Sequence, residues 1–340
     1  MPIATRSQYL EMIKTAKKNK YAFPAINIAN LEGLNAALEG FSEAKSDGIV
    51  QVSTGGGEHS TGKIKDMALG AKILAEAAHQ LAEKHNVLII LHTDHCMESK
   101  LKGFLDPLIE ESASRVKNGL KPLFNSHMFD GSELPLEQNI KIAKEYHRKL
   151  ISLGMFLEVE SGVVGGEEDG VDNSGHSKEK LYTSPEDMIE FYSALKDDGE
   201  FLYAATFGNV HGVYKPGNVK LSPKILLEGQ KAVSEKFVIE ANPLNLVFHG
   251  GSGSTKEEIH ETLEYGIIKM NIDTDAQYAF TRPIVDHMFK NYDTVLKIDG
   301  EVGNKKLYDP RSYLKKGLQG MKDRVVEACK DLKSDGKSIL

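Results

Sequence analysis

VLIILHTDH, residues 87–95, starts with five consecutive apolar residues and ends in four polar ones. A short apolar run of this kind reads as a strand buried on both faces, as in a parallel sheet covered by helices. Seven further runs recur along the chain: 22–27 (AFPAIN), 48–53 (GIVQVS), 123–127 (LFNSH), 155–160 (MFLEVE), 201–207 (FLYAATF), 245–249 (NLVFH) and 267–273 (IIKMNID). Segments of helical period separate them, among them 34–44, 65–84, 136–153 and 184–195. Strand alternating with helix implies right-handed βαβ crossovers and a parallel sheet. Eight such units predict a closed (β/α)8 TIM barrel rather than an open doubly wound sheet. The first twenty residues read as an amphipathic helix, and the stretch from about Arg311 onward as an additional C-terminal helix outside the repeat. Composition shows no break, so residues 1–340 are expected to form a single barrel domain. Its most irregular insertion is GGEEDGVDNSGHSKEKLYT, near 165–183, which reads as a mobile loop.

The whole-chain properties narrow the partners. A hydrophobic fraction of 40% and a charged fraction of 27% are those of an ordinary globular protein. The net charge of −7 argues against nucleic acid or an acidic membrane as the main partner. A phosphate site would therefore have to be a local arrangement of donors. Two cysteines, Cys96 and Cys329, make no disulfide framework and fit a reducing, cytoplasmic setting. No signal core is visible, and no run approaches the ~18 apolar residues of a membrane span.

Polar residues gather where the strand candidates end. His92, Thr93, Asp94 and His95 follow the third, and the fourth runs into Asn125, Ser126, His127 and Asp130. The fifth carries Glu158 and Glu160, with Glu167, Glu168 and Asp169 beyond it; the sixth leads to His211 and Gly212. HGGSGS (249–254) follows the seventh, and Asn271, Asp273 and Thr274 close the eighth. In a barrel those ends converge on one face, where active sites are built. His95, His211 and His249 are then candidate ligands of a catalytic zinc with one open position. A lone histidine is usually a satisfied core or surface residue, which remains the reading of His92. Strand alternation predicts that His92 and His95 point apart.

Asp94 fits either a general acid/base or an outer partner orienting an imidazole. Glu158 and Glu160 share one strand face, and such a pair is costly unless it is ion-paired or binds a cation. The acidic run at 167–169 is by default a solvated loop, but on a Gly-hinged flap it could deliver a base. Backbone and hydroxyl donors of HGGSGS, with NIDT (271–274) after it, fit the phosphate site of barrels. Lys215 and Arg311 are candidates for further phosphate charge.

The chain closely resembles the class II, metal-dependent fructose-bisphosphate aldolases. The motifs are LHTDHC (91–96), SHMFD (126–130), LEVESGVVGGEEDGV (157–171), TFGNVHGVYKPGNV (206–219), VFHGGSGS (247–254) and MNIDTDAQYAFTRP (270–283), and the likeness extends from AFPAIN to YDPRSYLKK (308–316). The resemblance implies reversible cleavage of fructose 1,6-bisphosphate to dihydroxyacetone phosphate and glyceraldehyde 3-phosphate, as in glycolysis and gluconeogenesis. It implies Zn2+ on His95, His211 and His249, Asp94 as acid/base on the substrate hydroxyl, and Glu168 as the proton-exchanging base. Asp130 and Glu160 match a second or alternative divalent position. Gly212, Gly250 and Ser252 match phosphate or monovalent-cation (Na+ or K+) contacts. Asn271, Asp273, Thr274, Ser53, Lys215 and Arg311 match substrate and phosphate contacts, with Asn27 a further one. A homodimer or higher homo-oligomer is expected.

The alternative within the group is an aldolase for tagatose 1,6-bisphosphate. A Schiff-base aldolase would need Lys269 or Lys215 as nucleophile. A barrel hydrolase often takes metal ligands from its first strand, and AFPAIN has no histidine. A non-catalytic sugar-phosphate binder has no need of both Asp94 and Glu168. Two places depart from the pattern. Ile28 stands where members often carry Cys, and the loop GGGEHSTG (55–62) is less typical, so that a role for His59 stays open.

Overall fold

The computed structural model describes residues 2–162, 165–168, 171–172, 182–211, 221–251, 254–295 and 303–340, with backbone alone at 165–168, 171–172 and 211. Eight parallel strands close on themselves: β1 Phe23–Asn27, β2 Gly48–Val52, β3 Ile89–Thr93, β4 Ser126–Asp130, β5 Phe156–Ser161, β6 Leu202–Ala205, β7 Asn245–Phe248 and β8 Ile267–Ile272. β8 pairs back onto β1, with Ala25 level with Asn271, which completes the predicted TIM barrel. Around it run α1 (Arg6–Asn19), α2 (Leu31–Ala44), α3 (Thr54–Ser60), α4 (Met67–Leu81), α5 (Leu105–Lys117), α6 (Leu136–Ser152), α7 (Pro185–Leu195), α8 (Lys224–Phe237), α9 (Lys256–Glu264) and α10 (Thr274–Lys290). The helix Pro310–Asp331 lies outside the repeat, as expected, and packs against α2 and α10. No described helix is long and apolar enough to cross a membrane.

Two strands sit further along the chain than their apolar runs imply. β3 continues through His92 and Thr93, and β4 begins only at Ser126. Upstream of Ser126, side chains replace backbone partners at two points of the ladder. Leu123 N–H donates to Ser112 Oγ (3.1 Å), while Asn125 Oδ1 accepts from Leu91 N–H (2.8 Å). Of the insertion near 165–183, the described parts are Gly165–Glu168 and Val171–Asp172 at its start and Tyr182 and Thr183 at its end. Gly165–Glu168 pairs antiparallel with Val171–Asp172 and parallel with Val210–His211.

One end of the barrel interior is apolar. Phe23, Ala25, Ile49, Ile90, Phe156 and Val247 meet there, and α1 closes that end with Tyr9, Met12, Ile13 and Ala16. The Tyr9 and Phe156 rings meet edge-on at 4.8 Å. Burying each such side chain contributes roughly 1.5–3 kcal/mol, so the plug is a strong anchor. A capping box starts it: Thr5 accepts from Gln8 N–H, and Gln8 accepts from Thr5 N–H.

On the other end, the insertion between β2 and β3 depends on bare backbone. A Cβ on Gly70 of α4 would lie 1.9 Å from the Gly57 carbonyl oxygen of α3. Gly70→Ala is therefore expected to lower stability by about 2 kcal/mol through overpacking, although alanine is the better helix former by about 1 kcal/mol. Urea unfolding checks this, and an unchanged or raised midpoint would show that α3 and α4 separate without cost.

Candidate active site

Strand alternation builds the upper half of the barrel interior. On β5, Phe156 faces the apolar plug, and Glu158 and Glu160 follow it at period two, both buried. Glu158 is fully enclosed and meets three groups, two from strands and one just past the end of β7. Lys269 Nζ of β8 approaches its two oxygens at 3.1 and 2.9 Å, His249 Nε2 lies 2.7 Å away, and His92 Nε2 lies 3.3 Å away. Burial alone would raise the Glu158 pKa, but the Lys269 ammonium, His92 and the His249 contact outweigh it and hold the carboxyl below its ordinary range. Burial pushes the pKa of His249 down, and that of His92 well down, so both rings are neutral imidazoles near pH 7. Lys269 also donates to Asn271 Oδ1 at 2.7 Å, which ties the ion pair to the next layer of the site.

His249 follows the end of β7. With Nε2 on Glu158, its Nδ1 turns to His95 Nε2, 2.8 Å away, the two rings edge-on. His95 is anchored in the same manner: its Nδ1 lies 3.0 Å from Asp130 Oδ2 and 3.6 Å from Glu160 Oε2. Asp130 is itself fixed by Ser132, whose N–H (3.0 Å) and hydroxyl (2.6 Å) donate to Oδ1. Cys96 C=O accepts from Asp130 N–H at 3.0 Å, so the chain past β3 and the end of β4 move as one. Each imidazole thus has one nitrogen on a carboxylate and turns the other toward a shared position, the pattern in which an outer carboxylate sets the tautomer of a metal-ligating histidine.

Two overlapping donor sets emerge, Asp94 with His95 and His249, and His95 with Asp130 and Glu160; within each, the ligand atoms lie within 4.8 Å of one another. Neutral imidazoles mixed with carboxylates suit zinc or a similar divalent ion, so the residues present fit the expected metal. His211 lies in Val210–His211, where its backbone runs beside Gly166.

Asp94, also buried, completes the described centre. Its Oδ2 accepts from Asn27 Nδ2 and Gln51 Nε2, each at 2.9 Å, and its Oδ1 from Asn271 Nδ2 at 3.0 Å. Three side-chain amides therefore hold one carboxylate at the rim of the cation-sized position. Gln51 was not singled out from the sequence, although an amide inside the otherwise apolar GIVQV was a visible signal.

The other expected residues are distributed unevenly. Asn27, Ser53 and Asp273 line one cavity beside the centre. Gly250 follows His249 with φ +59°, and Thr274 opens α10. Arg311 does not join them: it turns outward, with its side chain 86% exposed and ion-paired with Asp309. Of Glu168 the described part is its backbone, and Gly212, Lys215 and Ser252 lie outside the described residues. His92 and His95 do not diverge as alternation implies. β3 ends at Thr93, which frees residue 95 from the pleat, and Glu158 with His249 joins the two rings into one network.

A parallel barrel that gathers imidazoles and carboxylates where its strands end is the architecture of a metal-dependent barrel enzyme. The family profile described as class-II fructose-bisphosphate aldolase matches residues 7–337. The fructose-bisphosphate aldolase of Mycobacterium leprae is 56% identical, covering 100% of this chain and 99% of its own, and that of Corynebacterium glutamicum is 55% identical, covering 99% of each. The crystal structure of a fructose-bisphosphate aldolase from Campylobacter jejuni superposes with a TM-score of 0.87 at 41% identity, covering 99% of this chain and 97% of that one. The chain belongs to the class II fructose-bisphosphate aldolases, a family of metal-dependent lyases.

Lys269→Met removes the cation and leaves Glu158 enclosed, so a loss of about 3–5 kcal/mol is expected in denaturant unfolding. Adding Glu158→Gln should recover part of that loss. A cost below about 1 kcal/mol for the single substitution would mean that the pair does not stabilise the barrel.

Proposed function

We propose that the protein catalyses reversible cleavage of fructose 1,6-bisphosphate to dihydroxyacetone phosphate and glyceraldehyde 3-phosphate, with Zn2+ on His95, His211 and His249. The observation that carries this reading is the facing pair of His95 and His249 nitrogens beside an Asp94 carboxylate held by three amides. When bound, the metal supplies Lewis-acid polarisation of the substrate carbonyl.

The chain's own groups do the rest. Asp94 takes the proton from the hydroxyl on the scissile-bond carbon that becomes the aldehyde. That bond then breaks, and its electron pair goes to the ketose half. Asn27, Gln51 and Asn271 fix the carboxylate in position, so no reorganisation accompanies proton transfer. Glu168 exchanges the proton of the dihydroxyacetone phosphate half. Support for its proximity comes from the parallel pairing of Gly165–Glu168 with Val210–His211.

Asp130 and Glu160 are assigned to the alternative divalent position, supported by their grouping with His95. Gly212, Gly250 and Ser252 are assigned to phosphate and a monovalent cation, Na+ or K+. Asn27, Ser53, Lys215, Asn271, Asp273 and Thr274 are assigned to the substrate and its phosphates. Arg311 is kept as a phosphate contact for a neighbouring copy, because within its own chain it turns outward onto Asp309. A homodimer or larger assembly fits the exposed Tyr278, Val285 and Phe289 on α10, with Tyr292 just beyond. Both cysteines are free, buried thiols, in keeping with a cytoplasmic enzyme.

Fructose 1,6-bisphosphate cleavage by the purified protein is expected to fall to background after EDTA and to return with added zinc. Activity indifferent to chelation, together with borohydride trapping of substrate on a lysine, would replace the metal with an imine. Equal or greater turnover of tagatose 1,6-bisphosphate would reassign the sugar. Asp94→Ala should lower kcat by about 10²–10⁴-fold, the range for a general acid/base, with metal content unchanged. Loss of metal as well would make Asp94 structural.

A further inference from the structure

His59 belongs to GGGEHSTG, the atypical segment to which neither the family motifs nor the chemistry above assigns a function. In the structure it lies near the end of α3 and is exposed, its imidazole making no hydrogen bond or ion pair among the described residues. It is not an ordinary surface position, however. His59 lines a cavity of about 480 Å3 shared with Asn27, Ser53, Asp273, Gln277 and Thr281. Asn27 links that cavity to the centre, because its side-chain amide donates to Asp94 Oδ2 at 2.9 Å.

Chemistry sets the direction of the cavity along the substrate. The hydroxyl on which Asp94 acts belongs to the first carbon of the aldehyde half. The space reached from Asp94 past Asn27 therefore receives that half and the phosphate at its far end. A phosphate needs compensating charge, and here the two relevant groups differ in sign. Among the described lining residues, Asp273 is acidic and His59 is the one group able to carry positive charge. Asp273 is already engaged, with both oxygens accepting from Gln277 Nε2 at 2.9 Å. The imidazole remains available for the ligand.

We propose that His59 is a specificity-determining residue that contacts the phosphate of the aldehyde half and favours bisphosphate over monophosphate ketose. This rests on the aldolase reading above. A charge-assisted hydrogen bond to phosphate is stronger than a neutral one and forms only when that phosphate is present. His59 touches neither the metal position nor Asp94, so removing it should spare the chemical step.

The test is steady-state cleavage of fructose 1,6-bisphosphate and of fructose 1-phosphate by the zinc-loaded wild type, His59→Ala and His59→Gln. For His59→Ala, kcat/KM on the bisphosphate should fall on the order of tenfold through KM, the effect of losing one hydrogen bond to a charged group. On the monophosphate it should change less than about twofold. His59→Gln, which keeps a donor without the charge, should recover part of the loss on the bisphosphate alone. Equal losses on both sugars, or no loss on either, would overturn the assignment. A wild-type enzyme that cleaves neither sugar would overturn the aldolase reading together with it.

Discussion

The ion pair of Lys269 and Glu158, closed off from solvent inside the barrel, is the constraint to which the candidate site is tied. Isolated, either charge would be far too costly to bury; together, with His249 and Asn271 hydrogen-bonded to them and His92 3.3 Å from Glu158, they are tolerated. The pair has directional consequences. Glu158 takes one nitrogen of His249 and so aims the other at His95, while Lys269 takes the oxygen of Asn271 and so aims its amide hydrogens at Asp94. Both the candidate metal position and the candidate acid/base are thereby oriented from below by one pair of charges.

The barrel interior is layered by depth. Toward one end, Phe156, Ile90 and Val247 form an apolar floor sealed by α1. Two residues further along the same strands, the inward positions become His92, Glu158 and His249. The change follows directly from the pleat, since every second residue faces inward at successive heights. Apolar contacts at the floor stabilise the closed barrel, and the polar layer above them is rigid because nearly every member is held by another. In that layer three amides hold Asp94, the candidate acid/base, in one geometry.

The overall charge of −7 also shapes how phosphates are held. With no broad positive field, each phosphate depends on a few local donors or cations. His59 stands at the cavity wall, and Arg311 turns outward onto Asp309. The exposed aromatic side chains of α10 lie on the same part of the molecule as the C-terminal helix that carries Arg311.

Much of this protein was legible in the sequence. Eight apolar runs separated by helical periods determined the barrel, because burial on a strand or helix leaves a local period in the chain. The polar residues at strand ends pointed to Asp94, His95 and His249 as neighbours, because a barrel sends all those ends to one face. Tertiary structure alone decided the partners. That Glu158 pairs with Lys269, 111 residues away, and that Gln51 joins Asn27 on Asp94 depend on barrel closure and register, which no local pattern encodes. The start of β4 and the convergence of His92 and His95 on one network escaped a local reading for the same reason: side chains from elsewhere, Ser112 and Glu158, settled them. The sequence determined which chemistry was present, and the fold decided which atoms meet.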